Sequence, residues 1–387
     1  MRFITFGKID RKIIPILLGC AFCFFHRSLI LFTLFKKSNI GNHRIITNIY
    51  VAISKLFTII PFIIYKNRTN KNNQNEINKI NYNNTTNTNK IELIYEDYAN
   101  DKVPGKGRYL LLSGIIFFIQ SFIFLATGEV KSNSWIWDIL ITSILYYLIF
   151  KIKLYKHHYL SVILIILIGF TIDLVLGNLQ KDVSENIGFL LLRFLREILY
   201  SLHDVINKYL MEKKYCSIYE ISLSNGIINL ILLGLFALIN YFCFDFDKFE
   251  EYFDNFNINE FFVAIIIMVT QIVLYLCTLI TNKNYTPCHI FIIFVFGQLA
   301  YYINISENRK ISIICIVCLI LILFFSLIFN EIIEINVCGL SDNTKKNIMI
   351  RAESEDFYIK KDDTITDESI NDKDEKEVEL NKDEIYI

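Results

Sequence analysis

Long apolar runs alternate with short polar segments along this chain, and the pattern predicts a bundle of membrane-spanning helices. A bilayer core of about 30 Å needs about 20 mostly apolar residues per helix. Windows of this kind, bounded by charges, asparagine clusters, glycine or proline, are 13–34, 46–65, 109–128, 135–151, 159–177, 188–210, 219–243, 260–281, 286–305 and 310–330. Windows 46–65 and 188–210 are polar enough to leave their full crossing open. We therefore predict an all-α membrane protein of about ten spans.

Three polar segments flank or interrupt these windows. Residues 1–12 precede the first window, an asparagine-rich loop covers 66–108, and a tail covers 331–387. The loop and the tail hold too few apolar residues to bury a core, so we predict that both are largely disordered. From residue 352 onward the tail carries fourteen acidic and five basic side chains.

Composition and charge narrow the class of protein further. Hydrophobic residues make up 53% of the chain and charged residues 20%, with a mean hydropathy of +0.41. Lys and Arg total 39, as do Asp and Glu. The positive excess outside the tail is spread over short loops and forms no basic face, which argues against nucleic acid as a partner. The predicted partners are the lipid bilayer and a small polar solute. A homodimer and tail-binding proteins stay open.

The distribution of Lys and Arg predicts the orientation of the chain, because short basic loops stay cytoplasmic. With the N-terminus inside, the inside segments before the tail carry eighteen Lys and Arg residues and the outside loops carry eight. We therefore predict that both termini are cytoplasmic. An endomembrane such as that of the Golgi, endoplasmic reticulum or vacuole is favoured over the plasma membrane.

The sixth window carries ionisable side chains that cost about 2.5–3.5 kcal/mol each at membrane depth. At 100° per residue they share one face about 140° wide. Its polar members are Arg193, Arg196, Glu197, Tyr200, His203, Asp204, Asn207 and Lys208. Three interpretations stay open: a helix lying in the membrane interface, internal ion pairs at i,i+4 spacing, or a helix facing a water-filled cavity that binds or gates a solute.

Other windows add isolated polar positions that usually serve contacts between helices but would also line a polar cavity. Asn225, Gln271 and Gln298 join the sixth-window residues as candidate solute-binding or gating residues. The remaining positions of this kind are Ser113, Gln120, Asp138, Thr142, Asp173, Ser222, Asn229 and Thr278.

The sequence contains no motif that predicts a cofactor, a metal site or an enzyme. No phosphate-binding loop of the Walker type is present, and the six histidines form no metal or catalytic motif recognisable from spacing. Two C-x-x-C pairs, Cys20/Cys23 and Cys315/Cys318, lie in apolar windows, where cysteine packs as a small hydrophobic residue.

Several passages resemble the drug/metabolite transporter superfamily, especially relatives of the nucleotide-sugar carriers. They are Arg196-Glu197 with Asp204 through Lys214, Ser217 through Glu220, Gly226 through Leu232, and Phe329 through Ile348. The likeness covers about 13–351 apart from the asparagine-rich loop. It implies two inverted five-helix repeats, 13–177 and 188–330, with alternating access to a central site.

We therefore expect a secondary-active or exchange carrier of a polar organic solute, for which an anionic compound such as a nucleotide sugar or an organic phosphate is a candidate. In this hypothesis Arg196 and Lys208 supply positive potential, and Glu197 and Asp204 balance it in the empty cavity. The tyrosine and asparagine of the same stripe supply hydrogen bonds. The alternative is a non-transporting membrane scaffold or receptor whose acidic tail recruits partners. An intramembrane enzyme has no motif in its favour.

Overall fold

The computed structural model of the protein describes residues 4–6, 13–35, 44–68, 105–127, 134–152, 154–177, 187–243, 258–305, 309–335 and 344. Within these ranges the fold is almost entirely helical. The helices are α1 (Ile14–Phe35), α2 (Arg44–Leu56), α3 (Lys106–Thr127), α4 (Trp137–Phe150), α5 (Lys156–Gly177), α6 (Ile187–Lys213), α7 (Ile218–Cys243), α8 (Ile258–Asn284), α9 (Ile290–Ile305) and α10 (Arg309–Phe329). Two short strands, β1 (Ile4–Phe6) and β2 (Ile333–Ile335), pair antiparallel.

The predicted all-helical class is confirmed, and each predicted window coincides with a helix. Over the described ranges, five segments are long and apolar enough to cross a membrane: Ile46–Arg68, Lys106–Phe124, Ile218–Asn240, Phe261–Asn284 and Lys310–Phe329. The helices α1, α4, α5 and α9 contain shorter apolar stretches. The α6 helix is not among either group because its ionisable residues lower its hydropathy. The total of about ten spans stays a prediction.

The polar segments differ from the prediction at their edges. Helix continues through residue 68, and α3 already begins at Lys106, so both ends of the predicted loop 66–108 are helical. The strand β2 lies in what was predicted as the start of the tail, where its backbone pairs with β1. The predicted disorder of 69–104 and of 345–387 concerns residues outside the described ranges.

The helices pack in a regular scheme. The α1 helix packs against α8 and α9, whereas α6 packs against α3 and α4. The α2 helix packs against α7 and α8, and α3 packs against α7. The α10 helix packs against α5 and α9, and α4 also contacts α5. Each of these contacts maps onto another of them, or onto itself, when five is added to or subtracted from both helix numbers. The contact of α6 with α8 is an exception, because α1 and α3 have no contact of similar extent over the described ranges.

Apolar and polar interiors occupy different parts of the bundle. The largest apolar core lies among α4, α5, α9 and α10 and includes Ile139, Ile165 and Phe291. Cys315 and Cys318 pack in this core, whereas Cys20 and Cys23 pack where α1 meets α8 and α9. Most of the buried polar side chains lie on α2, α3, α6, α7 and α8, although α4, α5 and α10 carry others. The candidate site lies in this polar interior.

The α2 helix is interrupted in the middle of its window. Turn residues Phe57 and Thr58 separate α2 from a second helical stretch at 59–68. Their backbone N–H groups donate to the carbonyls of Ser54 and Lys55, three residues back rather than four. Pro61 lacks the N–H that would donate to the Phe57 carbonyl, which explains why the regular helix stops here. Ser54, Lys55 and Thr58 at this break are buried in the bundle interior.

Candidate solute-binding site

The polar stripe of α6 faces the inside of the bundle. Arg193, Glu197 and Asn207 are buried, whereas Phe194 and Leu195 on the opposite face are 42% and 43% exposed. The remaining candidates on the stripe, Arg196, Tyr200 and Asp204, are half-buried, and Lys208 is buried. A helix lying on the membrane surface would turn its polar face to water, so this burial argues against the interfacial interpretation.

A hydrogen-bonded network crosses the bundle at the level of His203. The Ser113 hydroxyl of α3 donates to Asn207 Oδ1 at 2.8 Å. Asn207 Nδ2 lies 3.3 Å from the His203 ring nitrogens, and Asn225 Nδ2 of α7 lies 3.2 Å from His203 Nε2. Asn225 also donates to the Tyr275 hydroxyl of α8 at 2.9 Å. The network joins four helices and includes two predicted residues, Asn207 and Asn225.

Lys55, which was not among the predicted residues, occupies the centre of this region. Its side chain is 0% exposed, and its Nζ has no hydrogen-bond partner among the described residues. Nζ lies 3.0 Å from the ring centroid of Phe117 and 3.8 Å from that of Tyr275. Cation–π contact therefore contributes to holding the ammonium group. Its electrostatic neighbours include Asp204 and His203 of α6.

The close approach of α2 and α7 explains how Lys55 reaches the interior. A Cβ atom at Gly226 of α7 would lie 2.9 Å from Lys55 Cβ and 3.2 Å from the Ala52 carbonyl oxygen. Only glycine permits this separation without a shift of backbone or side chain. The Lys55 carbonyl accepts from the Thr58 hydroxyl at 2.6 Å, within the helix break.

Several buried polar atoms on α3 and α7 have no hydrogen-bond partner in the described part of the chain. They are Oγ of Ser222, Oδ1 of Asn225, and both side-chain polar atoms of Asn229 and Gln120. Ser222, Asn225 and Asn229 share one face of α7 by their spacing, and Gln120 lies one turn beyond Phe117 on α3. Each such group costs about 1–3 kcal/mol when buried without a partner. These atoms therefore offer hydrogen bonds to a polar solute.

A group of interacting acidic side chains lies on α4 and α6, and its member Asp204 also interacts with Lys55. Arg196 donates to Glu197 Oε1 at 2.8 Å from Nη2 and at 3.3 Å from Nε. Asp138 of α4 is buried and accepts from the hydroxyl of Ser201 at 2.6 Å. Asp138 interacts electrostatically with Glu197 and with Asp204. Glu197, Asp204 and Arg196 also interact electrostatically with Tyr200.

The contacts of Lys208 differ from those that were predicted. Its Nζ donates to the carbonyl oxygens of Asn282, Lys283 and Tyr285 at 2.8, 3.2 and 2.6 Å. It also forms an ion pair with Glu212 at 2.7 Å. The ion-pair interpretation, with its i,i+4 spacing, had paired Lys208 with Asp204 instead. Lys208 therefore caps the carboxyl end of α8, where the helix dipole favours a cation.

The two glutamines among the predicted residues make fewer contacts with the site. Gln271 of α8 and Gln298 of α9 are half-buried, and neither forms a hydrogen bond to any residue in the described ranges. The structure thus groups Arg196, Glu197, Tyr200, Asp204 and Asn207 of α6 with Asn225, and adds Lys55, His203 and Asp138. His203 lay on the predicted stripe and Asp138 was a noted polar position. For Lys55 the available signal was a lone cation in an apolar window close to a proline.

Comparison with known proteins adds no further information. No protein family matches the sequence, and no curated protein matches it. The resemblance to the drug/metabolite transporters therefore stays a prediction, and the function is argued from the site.

Proposed function

We propose that this protein is a membrane carrier that moves a polar, anionic organic solute by alternating access, with the solute bound beside Lys55. The observation that carries the proposal is the Lys55 ammonium group, which is fully buried and lacks a hydrogen-bond acceptor among the described residues. A buried charge without a partner costs several kcal/mol. An anionic group of a solute would supply the acceptor and recover part of that cost.

The helix packing supports the inverted-repeat architecture that the resemblance implies. The largest contacts of the packing scheme are preserved when α1–α5 are exchanged with α6–α10. If every helix crosses the bilayer, repeats of five helices have opposite orientations. Lys55 lies between rings of α3 and α8, which are equivalent helices under this exchange. Carriers of this kind bind their solute at the repeat interface near interrupted helices, and α2 is interrupted three residues after Lys55.

The polar surroundings indicate the class of solute. The hydrogen-bonding atoms on α3 and α7 that lack partners are amides and a hydroxyl, which suit a solute rich in hydroxyl or carbonyl groups. A nucleotide sugar or an organic phosphate combines such groups with negative charge. In the empty carrier, Asp204 balances the charge of Lys55 through their electrostatic interaction. We retain the proposed cytoplasmic termini and endomembrane location.

The test is counterflow into liposomes that contain the purified full chain. Pools of nucleotide sugars, organic phosphates and amino acids are offered in turn. We expect saturable exchange with one anionic pool, and Lys55→Gln should lower its initial rate at least about 100-fold, corresponding to about 2.7 kcal/mol. Lys213→Gln is the matched control because Lys213 is exposed at the carboxyl end of α6. Arg196→Ala is expected to abolish exchange as well.

Two results would contradict the proposal. Normal exchange by folded Lys55→Gln protein would remove Lys55 from the solute site. No exchange with any pool by well-folded protein would favour the scaffold hypothesis. Deletion of residues 354–387 then separates the two functions, because a scaffold would lose partner recruitment whereas a carrier would keep its basal flux.

A further inference from the structure

A second cluster of ionisable side chains lies where the start of α5 meets the segment that follows α10. His157 and His158 belong to the first turn of α5, and Glu331 follows α10 in a left-handed backbone conformation with φ of 56°. One ligand atom from each of the three side chains lies within 4.8 Å of the other two. Nothing in the spacing of these residues along the sequence indicated this cluster.

The His157 ring is buried without the partners that an imidazole normally has. It is 3% exposed, and neither ring nitrogen makes a hydrogen bond of acceptable geometry in the described part of the chain. Nevertheless, its Nε2 lies 3.1 Å from Oε1 of Glu331. Donor atoms bound tetrahedrally at 2.0–2.2 Å from one zinc ion lie about 3.3 Å from each other. The observed separation therefore fits two ligands of a shared ion.

We propose that His157, His158 and Glu331 bind a divalent transition-metal ion, for which Zn²⁺ is the best match. Two imidazole nitrogens and one carboxylate oxygen are ligands that zinc accepts, and they leave a fourth position for water. The ion would join the start of α5 to the segment after α10 and so stabilise the contact between these helices. This inference does not depend on the proposed transport function.

The three ligands are unequal. His158 Nδ1 accepts the Tyr155 backbone N–H at 3.1 Å, so the neutral ring carries its proton on Nε2. To bind the ion, His158 must lose this hydrogen bond on either route: Nδ1 binds the ion itself, or Nδ1 takes the proton from Nε2, can no longer accept, and leaves Nε2 to bind. We therefore expect His158 to contribute least to the affinity and His157 to contribute most. The alternative to a metal ion at this site is a proton on His157, which would let the ring form an ion pair with Glu331.

The experiment measures zinc binding to the purified full chain in detergent after metal has been removed with a chelator. Equilibrium dialysis with elemental analysis should show one zinc ion per chain, and zinc should raise the melting temperature. His157→Gln and Glu331→Gln should each weaken binding at least about tenfold, with a smaller loss for His158→Gln. The Cys315→Ser, Cys318→Ser double variant should bind normally, which would exclude these two thiolates as ligands.

Cobalt substitution provides an independent readout of the ligand set. The visible spectrum of the cobalt-loaded protein should show bands of nitrogen and oxygen ligation without thiolate charge transfer, and His157→Gln should remove them. The melting temperature in excess chelator reports whether each variant folds. Absence of zinc binding by the wild-type chain, or unchanged binding by folded His157→Gln and Glu331→Gln proteins, would overturn the proposal in favour of the proton-linked pair.

Discussion

Two buried lysines in this bundle have opposite surroundings. Lys208 donates to three backbone carbonyls at the end of α8 and pairs with Glu212. Lys55 contacts the rings of Phe117 and Tyr275 but has no hydrogen-bond acceptor in the described part of the chain. Lys55 belongs to the last turn of α2, and the Lys208 side chain reaches the carboxyl end of α8. The difference is that the partners of Lys208 belong to the protein itself.

This difference teaches that a buried charge alone does not identify a solute site. A cation whose hydrogen bonds are all made by the protein stabilises the fold, and its removal leaves acceptors without a donor. A cation without acceptors weakens the fold and needs a functional reason to be retained. Stability measurements can therefore distinguish the two lysines without knowledge of the solute.

The largest effect is expected for Lys208→Met. The substitution leaves the carbonyl groups at the end of α8 without their donor and Glu212 without its partner. We expect the free energy of unfolding to fall by about 3–5 kcal/mol, as for other buried pairs that lose one member. Denaturant titration in mixed micelles measures this change. An unchanged stability would show that Lys208 does not support the α8 terminus.

Lys55→Met, made together with Asp204→Asn, should act in the opposite direction. The double variant removes the buried charge and the acid that balances it and keeps similar side-chain volumes, so we expect the unfolding free energy to rise by about 1–4 kcal/mol. The same titration measures it, and the variant should fail to exchange solute in liposomes. A loss of stability would mean that contacts of the ammonium group hold the fold together, and the contrast with Lys208 would disappear.

Gly226→Ala tests the close approach that brings Lys55 into the bundle. The added methyl group would meet Lys55 Cβ and the Ala52 carbonyl, so we expect a destabilisation of about 1–3 kcal/mol. Gly234→Ala is the control on the same helix, because a Cβ atom there has nothing within 4 Å. Its expected effect is a gain of about 0.5–1 kcal/mol from helix propensity. Equal effects of the two substitutions would contradict the close packing of α2 and α7.

The smallest effects are expected at Gln271 and Gln298. Neither side chain makes a hydrogen bond to the described residues, so replacement by alanine should change the unfolding free energy by no more than about 0.5 kcal/mol. Counterflow should keep its rate within about twofold. A strong loss of exchange in either variant would extend the solute pathway towards α8 and α9 and reduce the emphasis on Lys55.

Local patterns predicted the helices and much of one face of the site. Apolar windows located each helix, and the 3.6-residue period of α6 selected Glu197 and Asn207, which the structure buries. Periodicity could not identify Lys55, because a single polar residue defines no stripe. The role of Lys208 was equally inaccessible, since its acceptors lie 74–77 residues further along the chain. Contacts between distant helices, rather than the composition of any one helix, decide both cases.

The pairing of β1 with β2 constrains how many times the polypeptide passes through the bilayer. The strand Ile4–Phe6 precedes every helix of the described chain, and Ile333–Ile335 follows all of them. Strands that share hydrogen bonds must lie on one side of the membrane, so the number of crossings between them is even. Five crossings would leave the two strands on opposite sides. If all five segments that meet the length and hydropathy requirement cross the lipid, at least one further crossing must therefore lie between the two strands.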